Sequence, residues 1–357
     1  MPAIDALFDK LLEQKGSDLH LGCNMPPMGR IRGSLQPLAE RELSAQELND
    51  MLMEIATVDQ QQVIKEHWDL DFAYQFGKKA RFRANYFQKF TGIAAVFRTI
   101  PSVILSLDEL KTPDAVRKLA ERRAGLVLVT GPTGSGKSTT LAGMINHINK
   151  TRASHVLTIE DPIEFVHEPD KCQITHREVG QHASSFTHAI RSAGRENPDV
   201  ILIGELRTNE TMRLALQLAS YGVLVFGTVH TNSAPATIER IINAFPFEEQ
   251  PQIRGMLADG LAGIVAQQLL KTADGKGRAA ALEILIGSHA VAAMIRENKT
   301  FQLASTMQSG KALGMQTMDV ALEKLVRDGK VTAQVAIEKA EDKDSFKKLF
   351  PQAAGEV

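Results

Sequence analysis

Apolar residues at Ile4, Leu7, Phe8, Leu11 and Leu12 recur at the spacing of one helical face and predict a helix over residues 3–15, closed by Gly16. Ser17–Leu21 then alternates like a strand, as does 29–32 before a turn at Gly33-Ser34. Ser44-Ala-Gln-Glu47 is a capping box that opens a helix running to about Ile55. Residues 69–76, 81–87 and 93–100 read as three more strands, separated by turn-rich residues at 77–79 and 91–92. Residues 1–100 therefore predict a small α+β domain. Residues 101–113 read as a linker leading into a helix, with Thr112 as its cap and Pro113 at its first position. From 114 onward short apolar runs at 127–129, 156–159, 200–203 and 223–228 alternate with helical stretches, the pattern of a parallel sheet with crossover helices. After about 248 the pattern is mostly helical. It holds one apolar run at 279–286, amphipathic helices over 288–297, 316–328 and 332–341, and a frayed C-terminus.

Composition narrows this picture little. At 357 residues two domains are the default. A net charge of −1 gives no global attraction to nucleic acid or to a membrane surface. No apolar run is long enough to span a bilayer, and the start is not that of a secretory leader. The only cysteines, Cys23 and Cys172, are too few for a disulfide framework, so a cytoplasmic location is expected.

The chemistry concentrates in Gly131-Pro132-Thr133-Gly134-Ser135-Gly136-Lys137-Ser138-Thr139, which follows an apolar strand and opens a helix. Glycines let such a loop turn its N–H groups toward a phosphate, and the helix adds its positive end. Lys137 is expected to reach the β/γ-phosphates and the Ser138 hydroxyl to meet Mg²⁺, so the chain should bind a nucleoside triphosphate. Glu205, at the end of the run 200–203, is expected to orient or deprotonate a water, or to hold Mg²⁺ through one. Glu160, Asp161 and Glu164 crowd the end of another strand. They suit Mg²⁺ or an arginine-lined site, or else form a plain acidic turn. His230 ends the fourth strand, where it would hydrogen-bond a phosphate or relay its presence to Glu205; the alternative is a structural histidine. His155, His167, His176, His182, His188 and Cys172 crowd one region at spacings that match no zinc pattern. Arg81, Arg83 and Arg98 occupy strand positions, the first two on one face, and suit either phosphate oxygens or a solvated surface.

Together these motifs resemble the secretion/pilus superfamily of hexameric ATPases, and within it the PilT-type retraction motors of type IV pili. The resemblance runs from Ser17–Leu21 through 81–85, 96–101, the glycine loop, 158–164, 200–207 and 228–233. It continues through Ala266-Gln-Gln-Leu-Leu270, 290–297 and 314–317. It implies an α/β chain with a PAS-like N-terminal domain and a RecA-like ATPase domain ending in a helical part. It also implies a homo-hexamer in which ATP and Mg²⁺ bind at the hinge between the domains. Glu205, Glu164 and His230 would then be catalytic, with Arg83 and Arg98 approaching the phosphates. The ring would act on an inner-membrane pilus platform protein, with a paralogous retraction ATPase as a further partner and no nucleic acid, to power retraction and twitching motility. The helical C-terminal part would serve retraction rather than hydrolysis as such.

Thr208 stands where the family usually has aspartate, and Ala292 and Ala293 replace more polar residues. Gly194, read as lying inside a helix, would cost about 1 kcal/mol. These departures fit a paralogue with adjusted kinetics. An accessory PilU-like subunit with weak hydrolysis and a pilus-assembly or type II secretion ATPase are the other readings. The second lacks its usual extra N-terminal domain and paired Cys-x-x-Cys motifs here.

Overall fold

The computed structural model describes residues 2–77, 79–100 and 103–351. Lys78 of the turn at 77–79, Pro101 and Ser102 of the expected linker, and the C-terminal residues expected to fray, 352–357, lie outside the described residues. The chain divides into two compact units, Met1–Val103 with Asp161–Val166, and Ile104–Glu160 with His167–Val357.

The first unit holds α1 (Asp5–Glu13), β1 (Asp18–Gly22), β2 (Met28–Ile31), β3 (Ser34–Pro37), α2 (Ala45–Ile55), α3 (Val58–His67), β4 (Asp69–Phe76), β5 (Ala80–Lys89) and β6 (Gly92–Ile100). The strands form an antiparallel sheet in the order β3-β2-β1-β6-β5-β4. One face buries Leu19, Phe82, Tyr86 and Phe97, and Phe8 of α1 stacks on Phe82 with ring centroids 4.1 Å apart. The buried Tyr86 hydroxyl donates to the Leu52 carbonyl of α2 at 3.1 Å. Ser44 and Glu47 form the expected capping box of α2. The sequence pattern did not reveal α3, whose face is mostly polar; its signal was a second capping box between Thr57 and Gln60. Gly16 closes α1 as expected, its N–H donating to the Leu11 carbonyl at 2.8 Å, although it is not the residue with the left-handed backbone. Lys15 takes the left-handed conformation (φ 53°), whereas Gly16 is needed for space, since a Cβ there would stand 2.4 Å from Leu11 Cδ1.

The second unit contains α4 (Asp114–Ala120), β7 (Gly125–Thr130), α5 (Lys137–Thr151), β8 (His155–Glu160), β9 (Gln173–Glu178), α6 (Phe186–Ala193), β10 (Val200–Ile203), α7 (Asn209–Ser220), β11 (Leu224–Val229), α8 (Ala234–Asn243) and α9 (Gln250–Gly260). It continues with β12 (Leu261–Lys271), β13 (Arg278–Ile286), α10 (His289–Arg296), α11 (Leu303–Ser309), α12 (Met318–Arg327), α13 (Ala333–Lys339) and α14 (Lys343–Leu349). Its sheet runs β13-β12-β7-β11-β10-β8-β9, parallel except for β13, which is antiparallel to β12. Alternate residues of the buried central strand β7 feed two cores, Leu126 and Leu128 on one face, Val127 and Val129 on the other.

Four expected parallel strands are present as β7, β8, β10 and β11, and the stretch after 248 is mostly helical as expected, except that the apolar run at 279–286 is β13 and pairs with a strand the pattern did not reveal, β12. β12 follows α9 without a turn, and its apolar run is buried on both faces, where periodicity cannot tell strand from helix. The edge strand β9 is polar and half-exposed, so it carries no apolar run at all. Pro113, not Thr112, stands at the cap position of α4, and the Thr112 hydroxyl instead donates to the Leu107 carbonyl at 3.1 Å. Gly194 lies just beyond α6, so the propensity cost of a glycine inside the helix does not arise. Thr208 does cap α7, closing a reciprocal pair with Thr211.

Candidate nucleotide site

β7 delivers the chain to Gly131, after which the loop turns through left-handed glycines at 134 (φ 78°) and 136 (φ 87°) before α5 starts at Lys137. At Gly134 only the conformation demands glycine, since a Cβ there meets open space. At Gly131 and Gly136 space demands it too. Added Cβ atoms would stand 2.3 Å from the Gln267 carbonyl oxygen and 2.8 Å from Gln267 Nε2. Pro132, Thr133 and Gly134 form the exposed tip, whereas Ser135 and Lys137 are buried. The hydroxyls of Thr130 and Ser135 are buried without a hydrogen-bond partner. Orphan donors beside a glycine cradle and a helix N-terminus are what a polyphosphate would satisfy, so the residues present fit a bound nucleotide.

The Lys137 ammonium donates to the carbonyls of Gly131 (2.9 Å) and Pro132 (3.1 Å) and lies 3.5 Å from His230 Nδ1. His230 Nε2 is 3.2 Å from Glu205 Oε1, and Arg207 Nε is 2.8 Å from Glu205 Oε2. Sheet order explains this meeting. β7, β11 and β10 are neighbours, so the residues after their carboxyl ends (Lys137, His230, Glu205) line up as ammonium, imidazole and carboxylate. Ser138 and Thr139, half-buried in the first turn of α5, complete the expected loop. A cavity of about 620 Å³ opens beside that turn, lined by Thr139, Thr140, Gln267, Leu269, Arg278 and Leu282 among others. Its mixed apolar and charged wall suits a small organic ligand. Sequence reasoning identified neither this cavity nor the contacts of Arg207, Thr140 and Gln267.

Arg83 and Arg98 belong to the first unit and face one another directly across β5 and β6. Arg98 Nε donates to Asp18 Oδ1 at 2.9 Å, and Arg83 pairs with Asp71 at 3.6 Å. Burial alone would raise the Asp18 carboxyl, but hydrogen bonds from Ser17 and Arg98 and the charge of Arg98 hold it below its usual range. The acidic trio is divided. Glu160 ends β8 in the second unit, whereas Asp161 and Glu164 group with the first, where Arg81 Nε donates to the Ile163 carbonyl at 3.2 Å. Of the crowded histidines, the His155, His176 and His182 side chains serve local hydrogen bonds. His176 lies 2.8 Å from the Thr158 hydroxyl and accepts from the His167 N–H, while burial and the neighbouring His176 push His167 down to about 4.

A buried strand, a glycine loop of this shape and an acid at the end of a nearby strand define a P-loop nucleotide-binding protein. The family model for Type II/IV secretion system protein matches residues 1–354. A twitching motility protein of Neisseria gonorrhoeae is 50% identical over 320 residues, covering 90% of this chain and 86% of that protein. The type IV pilus retraction ATPase PilT of Pseudomonas aeruginosa is 46% identical over 334 residues, covering 94% and 97%. A crystal structure of the pilus retraction motor PilT with bound ADP superimposes with a TM-score of 0.90 at 41% identity, covering 97% of this chain and 99% of that one. The chain belongs to the Type II/IV secretion system protein family, and its α/β architecture is that of the pilus retraction motor.

Proposed function

We propose that this chain is a motor ATPase whose hydrolysis of ATP powers type IV pilus retraction. The observation that carries the reading is the row of Lys137, His230 and Glu205 beside the glycine cradle. The loop N–H groups and the positive end of α5 hold the β-phosphate. Lys137 exchanges its two loop carbonyls for phosphate oxygens, a swap that the stronger charge-assisted bonds favour. Glu205 orients the attacking water and takes its proton, and His230, in reach of both Lys137 and Glu205, reports the phosphate to the carboxylate. Mg²⁺, when bound, neutralises charge on the phosphate oxygens. Ser138 is its protein ligand in this reading, with Glu205 acting through water. The cavity beside Thr139 and Thr140 receives the base and ribose.

In the same reading the first unit is the PAS-like domain and the second the RecA-like motor, with 101–113 as their linker. Six copies form a ring, Arg83 and Arg98 act on the phosphates, and Glu164 belongs to the catalytic acids. The ring works at the cytoplasmic face of the inner membrane on the pilus platform protein, and the helices after β13 serve retraction. Two variants test the chemistry. Lys137→Ala should abolish hydrolysis. Glu205→Gln should lower kcat by 10²–10⁴, the usual worth of a positioned base, while ADP affinity stays within about threefold. Wild-type turnover in Glu205→Gln removes Glu205 from its role. The accessory-subunit reading rests on Thr208 replacing an acid, and steady-state hydrolysis by the purified chain alone separates it from a motor.

A further inference from the structure

We propose that Gln267 is the positioning residue of the phosphate loop, holding it in the shape that binds a nucleotide's β-phosphate. β12 lies parallel to β7 with Ala266 opposite Thr130, so Gln267 comes level with the point where the loop begins. The residue is 3% exposed, although it is polar within a mostly apolar strand. The amide Nε2 donates to the Ser135 carbonyl at 2.7 Å, and Oε1 accepts from the Thr140 hydroxyl at 2.7 Å. One side chain thus clasps the last turn of the loop and the first turn of α5. A carbonyl can only accept, so Ser135 fixes which end of the amide faces it.

The consequence follows from peptide geometry. In a planar trans peptide the C=O and N–H point in opposite directions. Drawing the Ser135 carbonyl toward β12 therefore aims the Gly136 N–H away from β12, making it a donor for the ligand. The Gln267 side-chain amide also occupies the space that a Cβ at 136 would need, while at 131 it is the main-chain carbonyl of the same residue that excludes one. Glutamate has the same reach but no donor, and would set a carboxylate against the Ser135 carbonyl. Leucine keeps the volume and loses both bonds.

The inference rests on the reading that the loop binds polyphosphate. Calorimetric titration of the purified protein with ADP, and inhibition of its ATPase by tripolyphosphate, test it in Gln267→Leu, Thr140→Val, Thr140→Ser and the Gln267→Leu/Thr140→Val double variant. Gln267→Leu should weaken ADP and tripolyphosphate by the same factor, tenfold or more. Thr140→Val should weaken ADP in the same direction, Thr140→Ser should stay within twofold of wild type, and the double variant should be no worse than Gln267→Leu alone. Unchanged ADP affinity in folded Gln267→Leu overturns the proposal. So does a loss for ADP that spares tripolyphosphate, which would assign Gln267 to the neighbouring cavity instead. Should Gln267→Leu fail to fold, the two Thr140 variants decide, equal ADP affinity in valine and serine being the refuting result. A wild-type chain that binds no ADP would refute the nucleotide reading rather than the role of Gln267.

Discussion

Replacing Glu283 by Gln should flatten the pH dependence of stability of the second unit. The Glu283 carboxylate, on β13, is fully buried and accepts from the main-chain N–H groups of Ala234 (2.7 Å) and Met318 (3.2 Å), the first residues of α8 and α12. Two helix N-termini converging on one acid favour its charged form. Burial opposes them and wins, pushing the carboxyl up from 4.5 to about 7, with Glu341 and Asp319 adding to the rise. A carboxyl that keeps its proton longer in the folded protein than in the unfolded chain makes stability fall with pH. Its contribution is whole below about pH 4.5 and is lost as pH rises through about 7. That span is worth roughly 3 kcal/mol, or on the order of 6–12 °C in melting temperature for a unit of this size. Glu283→Gln removes the titration. The amide keeps one acceptor and turns its NH₂ against the other N–H, a cost of roughly 1–3 kcal/mol that pH does not change. Scanning calorimetry of both proteins from pH 5 to 8 is the assay. The wild type should melt well above the variant at pH 5, and the gap should close or reverse by pH 8. Glu341, itself pushed up by burial and by Asp319, is present in both proteins and largely cancels. Melting curves that keep a constant separation across this range would refute the reasoning.

Two further predictions concern the loop and the helix after Glu205. Gly136→Ala should weaken ADP binding at least tenfold in calorimetric titration, because the new Cβ displaces the Gln267 amide and opposes the left-handed backbone at once. Gly134→Ala, with open space around it, should cost only about 1–2 kcal/mol of loop strain and spare more of the affinity. Thr208→Ala removes the cap of α7 and should lower stability by about 1 kcal/mol, read as a fall in melting temperature. Thr208→Asp keeps the cap, so a rise in steady-state ATP turnover would show that the hydroxyl had slowed the enzyme.

What the sequence made legible was local. The glycine loop declares itself through the spacing of Gly131, Gly136 and Lys137, and the strands β7, β8, β10 and β11 through short apolar runs between helical stretches. The capping box at Ser44 reads correctly because both its partners lie within one turn. Elements whose character depends on a distant neighbour did not read at all. β12 is apolar because both of its faces are covered, and β9 is polar because it lies at the sheet edge, so neither carries the period that marks a strand. The same division runs through the site. Lys137, Glu205 and His230 were recognisable by residue type and position after a strand, whereas Gln267 was visible only as part of a motif without a role. Its function depends on the register of β12 against β7, a property of two segments more than a hundred residues apart. Glu283 is the same case in a deeper place. An acid within an apolar run predicts a buried partner, yet only the fold shows that the partners are two helix N-termini, one of them opening α8 just after His230. The chain just after His230 and the start of α12 are therefore joined through one carboxylate. This gives the site a short covalent and hydrogen-bonded route to the C-terminal helices.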